Sequence, residues 1–284
     1  MVVFVMIDGM RPDAIAAGQC VHLQAFMQRG ASTMTAQSVM PSMTLPCHTS
    51  IFHSVPPSRH GITTNHYIPM ARPLPGLVEV ARMHGKKTAF VHNWEPLRDM
   101  ARPEQVMYSW CHEPPLDQSY DDEMHREALR VVQSNRYDFV FVYYGSVDTA
   151  GHVYGWMEEG YLAQLKHVDT LVGELLAAIP AASHIVIQAD HGGHERTHGT
   201  DLPEDMNIPG WLPAQQSSKD TKSLVLFRSS IPHLRWRDCW ASAATKTGMA
   251  QPSTRCSPNA DTIHKTQRYT TRSYPYSRIR PYHA

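Results

Sequence analysis

Three times along this chain a short apolar run ends beside an acidic residue. Val2 to Ile7 runs into Asp8-Gly9, Phe139 to Tyr144 is followed after a short turn by Asp148, and Ile185 to Ala189 leads into Asp190-His191. Runs of this length, separated by longer stretches of helical period, predict buried strands that alternate with helices. The alternation is the signature of an α/β fold with a mostly parallel central sheet and helices on both faces. In open parallel sheets the groups at the carboxyl ends of the strands converge on one rim, where ligands bind, so three acids are expected to meet there.

The intervening stretches read as helices. One around His22 to Arg29 places Leu23, Phe26 and Met27 on a shared face, and another near Gly76 to His84 precedes an apolar run at Lys87 to Val91. Ser119, with Asp121 and Asp122 in the first turn, reads as the N-terminal cap of a helix reaching about Gln133, ahead of a central strand over Asp138 to Tyr144. Tyr161 to Ile179 aligns Leu162, Leu165, Leu171, Val172, Leu175 and Leu176 on a helix that Pro180 ends, and His184 to Ala189 is the next strand.

With 284 residues, 42% of them apolar, the chain can build one sizeable domain, or one domain and a small appendage. Lys+Arg and Asp+Glu balance at 26 each, which argues against a nucleic-acid coat. The balance conceals an asymmetry: acids outnumber bases 23 to 14 through Trp211, whereas three acids face 12 bases from Leu212 onward. The five cysteines show no paired spacing and no CxxC, which fits a reducing compartment. The apolar start lacks a basic leader and runs straight into Asp8, so it reads as a strand. No apolar stretch is long enough to cross a bilayer, and the expectation is a soluble cytoplasmic protein without a membrane partner.

Asp148 and His152 stand four residues apart, so one helical turn can aim a carboxylate and an imidazole at the same ion. Alone, such a pair is more often a solvated helix pair than a metal site. Asp190-His191-Gly192-Gly193 adds an oxygen and a nitrogen donor where the glycines let the backbone bend, although Asp190 could simply cap the next element. Thr197-His198-Gly199 supplies a further imidazole, or an ordinary loop histidine in a chain that has 18. Jointly, Asp8, Asp148, His152, Asp190, His191 and His198 provide enough donors for two divalent ions about 4 Å apart, the spacing that clamps both attacking and leaving oxygens. Carboxylate and imidazole without thiolate point to zinc first and manganese second.

In Pro41-Ser42-Met43-Thr44-Leu45-Pro46-Cys47-His48, Pro46 is tolerated only in a helix's first turn, which puts Thr44 at a helix N-terminus. Free amides and the positive dipole end suit a phosphate there, and a metal on the hydroxyl would make an alkoxide nucleophile. Thr44 as a plain helix cap is the alternative, and Ser42, Cys47 and Thr49 are rival nucleophiles.

These residues resemble the alkaline phosphatase superfamily, and within it the type I phosphodiesterase and nucleotide pyrophosphatase branch. The resemblance is carried in order by Asp8-Gly9-Met10-Arg11-Pro12-Asp13, Pro41 to Pro46 with His48, His60-Gly61-Ile62 with Asn65, Asp148 to His152, and Asp190-His191-Gly192. It implies an alkaline-phosphatase-like catalytic domain over 1–211, with one metal on Asp8, Thr44, Asp190 and His191 and a second on Asp148, His152 and a later histidine. His198 is preferred for that last position over His194, because its His-Gly step looks like the family's final ligand motif. Asn65, which by itself reads as a turn residue after Gly61, is implied to donate to a non-bridging phosphate oxygen.

The implied activity is hydrolysis of phosphodiester or pyrophosphate bonds in a small-molecule phosphate ester such as a nucleotide, through a phospho-threonine on Thr44. The same superfamily offers phosphonate and phosphomonoester hydrolysis, or an impaired metal-binding relative, as alternatives. Sulfatases of the superfamily use a modified cysteine or serine, and Thr44 argues against that activity.

A small cap-like insertion is expected over about 67–115, where Trp94, Tyr108 and Trp110 could stack on a base. Gly210 to Lys219 reads as turn-like and polar where the family continues with a buried strand. From there to the end the chain is basic and poorly patterned, and reads as a disordered tail, a divergent lid, or a segment translated out of the ancestral frame. The last reading predicts an incomplete sheet and impaired activity.

Overall fold

The computed structural model describes residues 1–66, 68–70, 73–100, 104–113 and 120–213. Its strands are β1 (Val2–Ile7), β2 (Gly30–Gln37), β3 (Thr88–His92), β4 (Tyr108–Cys111), β5 (Phe139–Tyr144), β6 (His184–Gln188) and β7 (Asn207–Pro213). The helices begin with α1 (Ala14–Ala17), α2 (Val21–Met27), α3 (Thr44–His53), α4 (Pro57–His60) and α5 (Leu77–Met83). They continue with α6 (Asp122–Gln133), α7 (Ser146–Tyr154), α8 (Glu159–Ala178) and α9 (Pro203–Met206).

The strands form one sheet in the order β2-β7-β6-β1-β5-β3-β4. β1 is flanked by β5 and β6, both parallel to it, with Val5 opposite Val142 and Ile187. A strand in that position is covered on both faces, which explains why Val3 to Ile7 are apolar without alternation and fully buried. Val3, Val5 and Ile7 face a core shared with Leu23 of α2, Met124 and Val132 of α6, and Leu165, Val168 and Leu175 of α8. Phe4 and Met6 face the opposite core, with Leu45 and Phe52 of α3, Val78 of α5, and Phe90 and Phe141. The expected α/β architecture, mostly parallel and helix-covered on both faces, is therefore what the chain adopts. Phe52 meets Phe141 edge-on at 5.1 Å, and a fully buried ring of this kind stabilises the fold by about 1.5–3 kcal/mol.

Several local expectations are corrected. Gly210 to Pro213 is not a turn: Asn207–Pro213 is β7, antiparallel to both β2 and β6, with Trp211 opposite Ser32 and Ile187. Two prolines and a glycine make this segment a poor strand by propensity, but Trp211 is buried and the Pro209 carbonyl accepts from the Ala189 N–H, so tertiary pairing overrides local preference. The sheet is thereby extended at the point where it was expected to stop. The helix expected from Ser119 begins at Asp122, and Ser119 lies outside the described residues. Its N-cap residue Asp121 makes no capping bond, because that buried carboxylate accepts from Asn93 Nδ2 (2.6 Å), Gly145 N (3.1 Å) and Ser146 Oγ instead.

Within 67–115, β3 and β4 are strands of the main sheet. Tyr108 and Trp110, on the edge strand β4, are partly buried against one core, and Trp94, just after β3, is partly buried against the other. Of the basic segment 212–284, only the backbone of Leu212 and Pro213 in β7 falls within the described residues. Among the described residues no helix is long and apolar enough to cross a membrane, and Cys20, Cys47 and Cys111 are free thiols.

Candidate metal centre

Sheet topology delivers the donors. Asp8 follows β1, Asp190 and His191 follow β6, and Asp148 and His152 lie one turn apart on α7, which starts just beyond β5. Gly9, with a φ of +66°, lets β1 end against α7: a Cβ there would lie 2.9 Å from the Asp148 Cα. His198 arrives from the loop after β6, and Thr44 is the first residue of α3.

The donors form two groups. Those of Asp8, Asp190 and His191 lie within 4.8 Å of one another, and so do those of Asp148, His152 and His198. His191 Nε2 is 3.2 Å from Asp8 Oδ1 and 3.5 Å from Asp190 Oδ2. Asp148 reaches His152 Nε2 at 3.4 Å through Oδ2 and His198 Nε2 at 3.6 Å through Oδ1. The His191 and His198 rings stack at 3.9 Å, placing the two groups side by side. The first group is buried, whereas His152 is 43% exposed, so the pair opens to solvent at His152.

Each of the three imidazoles uses Nδ1 to donate to a main-chain carbonyl: His191 to Gly192 (2.8 Å), His198 to Ser42 (2.8 Å) and His152 to Arg196 (3.0 Å). A carbonyl can only accept, so the proton sits on Nδ1 and the Nε2 lone pair is left for the cluster, the orientation that metal-binding histidines adopt. Asp8 Oδ1, Asp148 Oδ1 and Asp190 Oδ2 are buried without a hydrogen-bond partner. Acceptors thus face acceptors, and the arrangement requires positive charge between them, from protons or from cations. This donor set fits two divalent ions.

The electrostatics carry the same message. Burial first, and then the Asp190 and Asp148 carboxylates, push the Asp8 carboxyl up to about 7. Burial also opposes ionisation of Asp190 and Asp148, but imidazoles outweigh it: His191 and His48 hold Asp190 below the usual carboxylate range, and His152, His191 and His198 hold Asp148 below it. The hydrogen bond to Asp148 pushes His152 up to about 9. For His191, burial opposes the charge, yet Asp190 and Asp8 outweigh it and raise the imidazole.

Thr44 Oγ1 lies 3.2 Å from His191 Nε2. The rivals are engaged elsewhere: Ser42 Oγ donates to the Thr200 carbonyl, Thr49 Oγ1 to the Leu45 carbonyl, and Cys47 Sγ contacts Ser38 Oγ. Burial pushes the Cys47 thiol up to about 12. The expectation of several free amides at the start of α3 is corrected. Leu45 N donates to Asn65 Oδ1 (2.9 Å), Pro46 has no N–H, and Cys47 N donates to the Met43 carbonyl. Asn65 is consequently fixed over the helix terminus, one residue from Thr44, with its Nδ2 as the donor end.

His194 is outside both donor groups, since its Nδ1 lies 2.8 Å from Asp205 Oδ1. Three residues support the site without a role having been read for them in the sequence, where His48 stood in the motif and Tyr143 and Asp205 went unremarked. His48 spans the Thr44 carbonyl (2.8 Å) and Asp190 Oδ2 (3.4 Å) through Nδ1, and its position four after Thr44 was the available signal. Tyr143 donates to Asp8 Oδ2, and its place two residues after Phe141 in β5 marks the same sheet face. Asp205 carried no signal at all.

Residues 2–216 match the type I phosphodiesterase / nucleotide pyrophosphatase family. The chain is 23% identical over 267 residues to bis(5'-adenosyl)-triphosphatase enpp4 of Xenopus laevis, covering 80% of this chain and 57% of that protein. Among solved structures it is similar to murine ectonucleotide pyrophosphatase / phosphodiesterase 5 in complex with AMP, with a TM-score of 0.57 at 16% identity, covering 67% of this chain and 56% of that one. Phosphonoacetate hydrolase from Sinorhizobium meliloti 1021 gives a TM-score of 0.53 at 21% identity, with 67% and 56% covered. At these identities the two structures establish a shared fold. The chain spans a little over half the length of these relatives. Because the family match extends over most of the chain and across every strand described above, this chain belongs to the type I phosphodiesterase / nucleotide pyrophosphatase family, within the alkaline phosphatase superfamily.

Proposed function

We propose that the chain hydrolyses phosphodiester or pyrophosphate bonds with the Thr44 hydroxyl as nucleophile and two divalent ions as cofactors. The observation that carries the reading is the place of Thr44 Oγ1, at a helix start and 3.2 Å from His191, beside two groups of donors whose acceptors face one another. Asp8, Thr44, Asp190 and His191 would hold one ion, and Asp148, His152 and His198 the other. The donor chemistry favours zinc, with manganese second. When bound, the ions acidify the Thr44 hydroxyl and offset charge on the phosphoryl oxygens.

The chain's own residues supply the rest. His48 ties the first turn of α3 to Asp190, which keeps Thr44 aimed at the cluster. The Thr44 hydroxyl gives up its proton as Oγ forms a bond to phosphorus and the bond to the leaving oxygen breaks, and that oxygen takes up a proton. Asn65 Nδ2 donates to a non-bridging oxygen as its charge grows. Water then attacks phosphorus, the bond to Thr44 Oγ breaks and Oγ regains a proton, and a phosphate monoester leaves the site.

Three observations support a singly charged diester or a nucleotide as substrate. No ion pair among the described residues joins a lysine or arginine to the six carboxylate and imidazole donors. The Xenopus relative is a bis(5'-adenosyl)-triphosphatase, and the murine neighbour is bound to AMP. The free thiols support a reducing compartment, which fits a cytoplasmic location.

The test is turnover of bis(4-nitrophenyl) phosphate against 4-nitrophenyl phosphate by zinc-loaded protein, with elemental analysis of the same sample. Preference for the diester, lost in Thr44→Ala at unchanged metal content, is expected. Preference for the monoester, or for phosphonoacetate, would move the assignment to another branch of the superfamily. Metal-loaded protein inert toward all three would overturn the catalytic reading.

A further inference from the structure

Asp205, near the end of α9, is fully buried and touches neither donor group, yet it is bonded to both loop segments that carry them. Its Oδ1 lies 2.8 Å from His194 Nδ1. Its Oδ2 accepts from Thr200 N at 2.9 Å and from Thr200 Oγ1 at 2.7 Å. Residues 194 and 200 bracket the loop whose apex carries His198, and that loop is closed further by main-chain bonds between His194 and Thr197. The Thr200 carbonyl in turn accepts from Ser42 Oγ (2.7 Å), and the Ser42 carbonyl accepts from His198 Nδ1. On its other side, the Asp205 carbonyl accepts from Gly192 N at 2.9 Å, next to His191. Gly192 is pressed so closely on this strand of chain that a Cβ would come within 2.0 Å of the Glu204 carbonyl oxygen.

We propose that Asp205 is the positioning residue that holds His198 against Asp148 and His152, with His194 as its hydrogen-bonded partner and not as a ligand. The inference rests on the two-ion reading above and assigns the loop its mechanical part. A buried carboxylate that accepts three bonds fixes the loop at both ends, so His198 Nε2 is delivered without being strapped by the ion itself. Preorganisation of this kind is what supporting residues contribute to metal sites, where their loss costs about 10–100-fold in affinity.

Stepwise zinc titration against a chromophoric chelator separates the two affinities, and His198→Ala identifies which step belongs to the Asp148 group. Asp205→Ala should weaken that step by about 10–100-fold and the other by less than about threefold. Asp205→Asn should stay within about threefold of the parent, because one amide oxygen can serve Thr200 while His194 switches tautomer to accept from the amide nitrogen. A purely structural role would lower melting temperature and both affinities together. If Asp205→Ala fails to fold, Thr200→Val, which deletes the hydroxyl's bonds to Asp205 and Leu202 N but keeps the Thr200 N bond to Asp205, should weaken the same step alone. Equal weakening of both steps, weakening of neither, or an Asp205→Asn protein as impaired as Asp205→Ala would overturn the inference. Two tight zinc steps in a protein with no diester turnover would remove the proposed activity and leave this inference standing. A parent protein with no second step would overturn both.

Discussion

Zinc affinity is expected to rise steeply with pH, because the donors must release protons before they accept a cation. The Asp8 carboxyl is pushed up to about 7 by burial and its carboxylate neighbours. His152 is pushed up to about 9 by its hydrogen bond to Asp148. Below about pH 7 both groups carry a proton in metal-free protein, and each displaced proton changes the apparent affinity roughly tenfold per pH unit. The ion held through Asp8 should therefore tighten as pH rises through about 7 and go on tightening above it, because the raised His191 imidazole must also give up a proton, and the ion held through His152 should keep tightening to about pH 9. Stability follows the same sign. Asp8 contributes most to the metal-free fold below its ordinary 3.8, and the contribution is lost as pH rises through about 7. His152 contributes most below its ordinary 6.5 and loses that contribution through about 9. The gain in Tm on adding zinc should accordingly widen from about pH 6 to about pH 9. Chelator-competition titrations at three pH values, with calorimetry in two buffers of different ionisation enthalpy, measure the affinity and the proton count together. Zinc uptake without proton release, or affinity that does not change with pH, would refute the claim that acceptors face acceptors in this cluster.

Thr44→Ala should reduce diester turnover by at least about a thousandfold while elemental analysis still finds both ions, since three donors of the buried group remain. Asn65→Ala should lower kcat by about 10²–10³-fold with metal content unchanged, and an unaltered kcat would remove Asn65 from the transition state. His194→Ala should keep both ions but lose about 1–3 kcal/mol in denaturant unfolding, because Asp205 loses a buried partner. Tyr143→Phe leaves Asp8 Oδ2 without its donor and should cost metal-free protein about 1–3 kcal/mol, read by the same unfolding assay.

The sequence by itself determined the sheet's interior and which acidic and imidazole side chains gather in the two clusters. Val2 to Ile7, Phe139 to Tyr144 and His184 to Gln188 are legible because a strand buried on both faces must be apolar throughout, and that is a local property. Asp8, Asp148, Asp190 and His191 are legible because parallel strands point their ends to one rim, and His152 because a helix repeats every four residues. What only tertiary structure decided were the features set by partners distant in sequence. β7 exists because β2 and β6 offer it main-chain bonds, although its prolines and glycine argue against a strand. Asp121 leaves the cap of α6 for Asn93 and Ser146 because burial makes an unpaired carboxylate more costly than an uncapped helix. Leu45 N–H is taken by Asn65, twenty residues away, which leaves fewer amides at the head of α3 than the helix alone implies. Asp205 falls in the four-residue helix α9, which is too short to show a period, and its part is visible only when residues 192, 194 and 200 are brought around it. Periodicity records which side of an element is buried; it does not record which distant group satisfies a buried charge, and that pairing is settled by the packed fold.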